Sequence, residues 1–193
     1  VWMHELGERL DRKGPARADR RTSEMNIVLR PLKESEEEIF VRENQIAFDK
    51  AAIEEFGPQE ESVIPREDII SSIHAENAQA FRIIVDGEPV GGVVVAIHPE
   101  TQVNSLYLLF VSPDCHSRGI GQTVWRMIEE KYPETKVWET HTPYFEKRNI
   151  HFYVNKCGFH IVEFYNPHHP EPREETCDTP GGEYFFRFEK VMK

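Results

Sequence analysis

Between Ser105 and Lys131 the chain leaves few choices. An unbroken apolar run, Leu106-Tyr107-Leu108-Leu109-Phe110-Val111, enters a turn at Ser112-Pro113-Asp114 and leaves it through Arg118-Gly119-Ile120-Gly121. Such a run reads as a central strand covered on both faces. The residues after it, from Gly119 to Lys131, read as a helix that ends before Pro133. A helix start carries N–H groups without intrahelical acceptors and the positive end of the dipole. Glycines at 119 and 121 let an anion approach the main chain there, and Arg118 adds charge. No Gly-Lys-Ser/Thr follows, which excludes a Walker loop, and the spacing of the dinucleotide fingerprint is missing. From these residues alone, an ordinary strand–helix connection stays open beside the anion site.

The flanking sequence supplies alternating elements. Asn26–Leu32 alternates as a strand. Ser35 before Glu36, Glu37 and Glu38 predicts a hydroxyl-capped helix start. Ile39, Ile46 and Ile53, with Phe40, Ala47 and Phe56 nearby, predict one apolar face of a helix that Gly57-Pro58 stops. A second helix is predicted from Pro65 to Ala75, with Ile69, Ile70 and Ile73 inward. Ala80–Val85 and Val90–Ile97 flank Asp86-Gly87-Glu88-Pro89 as a hairpin. Lys136–Thr140, Phe159–Tyr165 and Tyr184–Val191 read as strands, and Arg148–Lys156 as a short helix closed by Gly158. The order β-α-α-β-β-β-α-β-α-β-β predicts an α/β fold, a central mixed sheet of six to seven strands with helices on both faces.

Charge divides the chain. Residues 1–23 hold six basic and four acidic side chains, leaving 17 basic against 30 acidic in the rest of a chain with net charge −11. Residues 1–24 are read as an N-terminal extension or a start-site artefact, and 25–193 as one domain. The acidic balance argues against nucleic acid as a partner. No apolar run approaches the ~20 residues that cross a bilayer, so no membrane partner is expected. Cys115, Cys157 and Cys177 are too few for a disulfide scaffold, which points to a reducing, cytoplasmic setting.

Val111-Ser112-Pro113 followed by Arg118-Gly119-Ile120-Gly121 resembles the acetyl-CoA motif of the GNAT superfamily of N-acetyltransferases, Gln/Arg-x-x-Gly-x-Gly/Ala, with His116 at its first position. Phe152-Tyr153-Val154-Asn155-Lys156-Cys157-Gly158-Phe159 is similar to the family's Phe/Leu-Tyr-x-x-x-Gly-Phe segment. The resemblance covers about residues 26–165. It implies a GNAT-like fold and acetyl-CoA as the acetyl donor. Leu109, Phe110 and Val111 would pair their backbone with the pantetheine arm. Arg118, Gly119, Ile120, Gly121, Gln122 and Thr123 would hold the pyrophosphate. Strands 105–111 and 136–140 would splay to admit the thioester, with a backbone N–H near Val111 polarising its carbonyl. Tyr153 would protonate the departing thiolate. The Glu that some members carry within the fourth strand is Ser105 here, so Glu139 and then His141 are the candidate bases for the attacking amine. The family also allows a homodimer.

Other clusters have plainer readings. His168-His169, Glu171 and Cys177 match no common zinc spacing, and no metal is expected. Asn166–Gly182, with four prolines, reads as a long loop placed to meet a substrate or a partner. The acidic run Glu54, Glu55, Glu60, Glu61 and Glu67 favours a small cationic amine as acceptor. A non-catalytic CoA-binding module, or transfer to a protein amine, stays open as an alternative.

Overall fold

The computed structural model describes residues 25–58, 60–115, 118–171 and 183–193. The readings for residues 1–24, His116 and most of the loop after Asn166 lie outside these ranges. Seven strands form one mixed sheet in the order β1-β2-β3-β4-β5-β7-β6. The first four, β1 (Ile27–Pro31), β2 (Ala78–Val85), β3 (Glu88–Ala96) and β4 (Val103–Val111), are antiparallel neighbours. β5 (Val137–Pro143) joins β4 in parallel, and β7 (Phe185–Val191) lies between β5 and β6 (His160–Tyr165), antiparallel to both. The expected mixed sheet with helices on both faces is therefore present.

The β2–β3 turn is tighter than the four residues expected. Asp86 and Gly87 both have positive φ, 52° and 92°, which makes a two-residue turn whose twist suits paired strands.

α1 (Glu37–Phe56) and α2 (Arg66–His74) cover one face. There Phe40, Val41, Ile69 and Ile73 pack on Val94, Leu108 and Phe110. α3 (Ile120–Lys131) covers the other, where Val124, Trp125 and Ile128 meet Leu106, Trp138 and Phe188. α4 (Lys147–His151) continues into a π-helical turn, Phe152–Cys157.

Two expectations for α1 are corrected. Ile39, Ile46 and Ile53 do not form the buried face; they are about half exposed, while Phe40, Val41, Asn44 and Ala52 are buried. One residue is a 100° turn of the helix, and the sheet chooses the neighbouring stripe. β3 presents Gly92 opposite Phe110, and Phe40 fills the space this glycine leaves, its ring edge-on to Phe110 at 5.0 Å. Ser35 likewise makes no hydroxyl cap at the α1 start. Glu36 reaches back to the Lys33 N–H at 3.2 Å and takes Arg30 in two hydrogen bonds of 2.9 and 2.7 Å. The Arg30 partner holds the Glu36 carboxyl down at about 2.

Candidate active site at the parting of β4 and β5

β4 and β5 pair over only three residues, Val103, Asn104 and Ser105 against Val137, Trp138 and Glu139. The cause lies in β4. Its register with β3 slips between Val94 and Val95, which face Leu108 and Leu106 respectively, so Tyr107 is an extra, bulged residue. A bulge bends its strand and increases its twist. Beyond it β4 follows β3 and leaves β5. The strands part as the resemblance implied. Thr140 bridges the vertex, its hydroxyl donating to the Leu106 carbonyl at 2.9 Å.

The parting opens into a cavity of about 780 Å³. Its walls are the end of β4 (Leu109, Phe110 and Val111), the start of α3, the second half of α1, and the connection from β5 through α4. At α3 the first i to i−4 bond is from Thr123 to Gly119, 3.1 Å. The N–H groups from Gly119 to Gln122 therefore have no intrahelical acceptors. No acidic side chain stands in that first turn. Gly119 takes the left-handed conformation at φ 74°, which sets the helix start. At Gly121 a Cβ would sit 3.3 Å from the Phe152 ring, so the absence of a side chain keeps the main chain accessible. This donor set fits an anionic ester.

The structure distributes the predicted binding residues unevenly. Leu109, Phe110, Val111, Gly119, Ile120, Gly121 and Gln122 line the cavity. The Ile120 side chain is buried in the core and only its main chain serves the site. Gln122 donates to the Lys156 carbonyl at 3.0 Å, tying α3 to the π turn. Arg118, exposed just before the Gly119 cap of α3, and Thr123, half-buried, are not among the lining residues.

The predicted chemical residues lie elsewhere. Tyr153 is buried among Phe152, Phe159 and Phe188, beneath the cavity rather than on its wall, with its hydroxyl hydrogen-bonded to Thr140. Burial holds its phenol well above the usual range, so it stays protonated. Four residues separate Tyr153 from Gly158, one more than in Phe/Leu-Tyr-x-x-x-Gly-Phe. The π turn absorbs the extra one, with the N–H groups of Gly158 and Phe159 both donating to the Tyr153 carbonyl.

Glu139 and His141 lie outside the lining. Glu139 accepts from Arg187 at 3.0 Å. His141 stacks on Tyr165 with ring centroids 6.3 Å apart and has Glu171 at 3.5 Å. Arg187 also meets Glu163 at 3.2 Å and contacts Glu189, so one guanidinium serves three carboxylates. The hydrogen bond from His169, with those from Tyr165 and Arg187, holds the Glu163 carboxyl below its ordinary value. Such a carboxylate stabilises the fold at neutral pH and loses that effect as the pH falls through its lowered value. Arg187→Met leaves three facing carboxylates without their cation. It is expected to lower the melting temperature by several degrees at pH 7, and by less near about pH 4.5, where carboxylates begin to protonate. Thermal melts at the two pH values check this.

Glu146 was not singled out from the sequence. It lines the cavity, is only 4% exposed, and its Oε1 is buried with no hydrogen-bond partner among the described residues. Desolvation pushes its carboxyl up to about 7; Arg148 opposes the shift and Glu54 adds to it. In sequence it is one more acidic residue before a short helix. Its neighbour Phe145 belongs to a small buried cluster with Ala52 and Val63, which ties this turn to α1 and to the segment after it.

This fold is shared with several solved structures. An acetyltransferase from Thermus thermophilus superimposes with a TM-score of 0.62 at 16% identity, over 86% of this chain and 97% of that one. A Bacillus subtilis acetyltransferase in complex with CoA superimposes with a TM-score of 0.56 at 15% identity, over 88% and 99%. Spermidine/spermine N-acetyltransferase SpeG from Vibrio cholerae gives a TM-score of 0.56 at 13% identity, over 86% and 92%. Residues 37–159 match the acetyltransferase (GNAT) family, and the chain belongs to that family. Uncharacterized protein YrkN of Bacillus subtilis is 49% identical over 178 residues, 89% of this chain and 96% of YrkN. Among the described residues no helix is long and apolar enough to cross a membrane.

Proposed function

We propose that this chain transfers the acetyl group of acetyl-CoA to the primary amine of a small cationic acceptor by direct attack. The observation that carries the reading is a single cavity holding both an anion-ready helix start and acidic side chains. Gly119 to Gln122 share one lining with Glu54, Glu55 and Glu146, beside Lys50, Lys147, Arg148 and Lys156. The main chain of α3 with Arg118 would hold the pyrophosphate, and Lys156, in the same lining as the start of α3, would add positive charge. The end of β4 would carry the pantetheine arm along the unpaired side of the strand. Acetyl-CoA would supply the activated thioester; Tyr153, outside the lining but joined through Thr140 to the vertex where the strands part, would supply the proton for the sulfur.

An N-terminal or lysine amine of a protein is the second reading. Ribosomal-protein-S18-alanine N-acetyltransferase from Escherichia coli shares the fold, with a TM-score of 0.62. The buried Glu146 and its neighbour Glu54, in a lining that also holds Lys50, Lys147, Arg148 and Lys156, favour the small cation. Calorimetric titration with acetyl-CoA, joined to thiol release in the presence of spermidine, lysine and an amino sugar, tests the proposal. Binding with acetylation of at least one cationic amine is expected. Activity confined to neutral or anionic acceptors overturns the cationic reading, and binding without thiol release leaves a CoA-binding module. Arg118→Glu reverses a charge beside the pyrophosphate and is expected to weaken acetyl-CoA binding by about tenfold, roughly 1.4 kcal/mol.

A further inference from the structure

We infer that Glu146 is the proton acceptor for the attacking amine, its buried carboxylate drawing an alkylammonium into the cavity and deprotonating it there. This rests on the reading of the chain as an amine acetyltransferase. The inference stands first on placement. Glu146 lines the wall of the cavity entered by the end of β4 and the start of α3. Oε1 has neither solvent nor a hydrogen-bond donor among the described residues, a costly state for a carboxylate unless a ligand supplies the donor. Glu139 and His141 are off this wall.

The surroundings tune the group for the task. α1 brings Glu54, Glu55 and Lys50 to the cavity, and α4 brings Lys147 and Arg148. Lys147 is paired with Glu55 at 2.7 Å. Glu54 raises the proton affinity of Glu146 and Arg148 lowers it, with desolvation the larger influence. A carboxyl that titrates near neutrality is a far better base for an ammonium than an ordinary surface glutamate. Tyr153 feels the charge of Glu146, which places the two groups within electrostatic reach across the parting of the strands.

The protons balance between them. Glu146 accepts one proton from the ammonium, and the freed lone pair forms the C–N bond as the C–S bond breaks. Tyr153 gives its proton to the departing sulfur and recovers one from the nitrogen, which becomes the amide. Glu146 then releases its proton to water. The net products are the acetylated amine, CoA thiol and one proton.

The test compares the wild-type chain with Glu146→Gln, using acetyl-CoA and spermidine or lysine. In the wild type, kcat/KM is expected to rise with pH through an inflection near 7. In Glu146→Gln that inflection disappears, and kcat/KM at pH 7 falls by about 10²-fold. The gap narrows towards the acceptor's own pKa, about 10.4 for a lysine amine, where free amine no longer needs a base. Acetyl-CoA binding by calorimetry stays unchanged.

A readout independent of turnover is the pH dependence of stability. A carboxyl whose folded pKa lies above its unfolded value binds a proton on folding, so stability falls as pH rises between the two values. Glu146→Gln is expected to lose that decline between about pH 4.5 and 7 and to exceed the wild type in melting temperature at about pH 8. A variant that keeps both the activity and the inflection overturns the role of Glu146 while leaving the enzyme reading intact. A wild type that binds acetyl-CoA but acetylates no amine overturns the amine reading and this inference with it.

Discussion

Tyr153→Phe is expected to lower the turnover of acetyl transfer by about 10²-fold with little change in acetyl-CoA affinity. The substitution removes one oxygen and keeps the ring. That ring packs 5.5 to 5.7 Å, centroid to centroid, from Phe152, Phe159 and Phe188, so the core keeps its shape. Thr140 loses one partner but keeps its bond to the Leu106 carbonyl. The cost in stability is therefore that of one hydrogen bond, about 1 kcal/mol. What is lost is an acid held at the vertex where β4 and β5 part. Because burial keeps the phenol protonated across the working range, it starts as the proposed acid for sulfur, and the first deprotonation of the ammonium is left to another group. The factor sits at the low end of the general-acid range of about 10²–10⁴, since a thiol of pKa about 8.5 already leaves well. Steady-state kinetics beside calorimetric binding separate the two quantities. Unchanged turnover would remove Tyr153 from the chemistry.

Gly91→Ala is expected to damage both the fold and the site. A Cβ at Gly91 would lie 2.2 Å from the Phe110 carbonyl oxygen and 3.0 Å from the Val111 Cα. These are backbone atoms of the neighbouring strand, so no side-chain rotation relieves the clash. The end of β4 must move, and it forms the wall along which the pantetheine arm would run. A loss of about 3 kcal/mol, the upper end of the overpacking range, is expected in denaturant unfolding, together with weaker acetyl-CoA binding. Gly92→Ala separates the two effects. Its Cβ would strike the rings of Phe40 at 2.1 Å and Phe110 at 2.8 Å, side chains rather than the β4 backbone. It should therefore lower stability with less effect on binding. Equal effects of the two variants on acetyl-CoA affinity would refute the link between Gly91 and the site.

The sequence determined what depends on neighbours along the chain. The apolar run 106–111, Asp86-Gly87, the Gly119 and Gly121 pair and the isoleucines of α2 each act through local backbone freedom or short-period burial, and each is found where the residues placed it, except that the hairpin turn takes two residues instead of four and Tyr107 bulges out of the run, exposed. The order of strands and helices follows from the same local signals. Tertiary structure decided what depends on distant segments. Which stripe of α1 is buried was set by Gly92 and Phe110, some fifty to seventy residues downstream. The point where β4 leaves β5 was set by a bulge that exists only relative to β3. Glu139 and His141 carry suitable side chains, yet the sheet pairs the first with Arg187 and stacks the second on Tyr165. Glu146 looks ordinary in the sequence. Its altered proton affinity comes from desolvation, with Arg148 opposing and Glu54 adding, and only the fold buries that carboxylate and brings Glu54 of α1 near it.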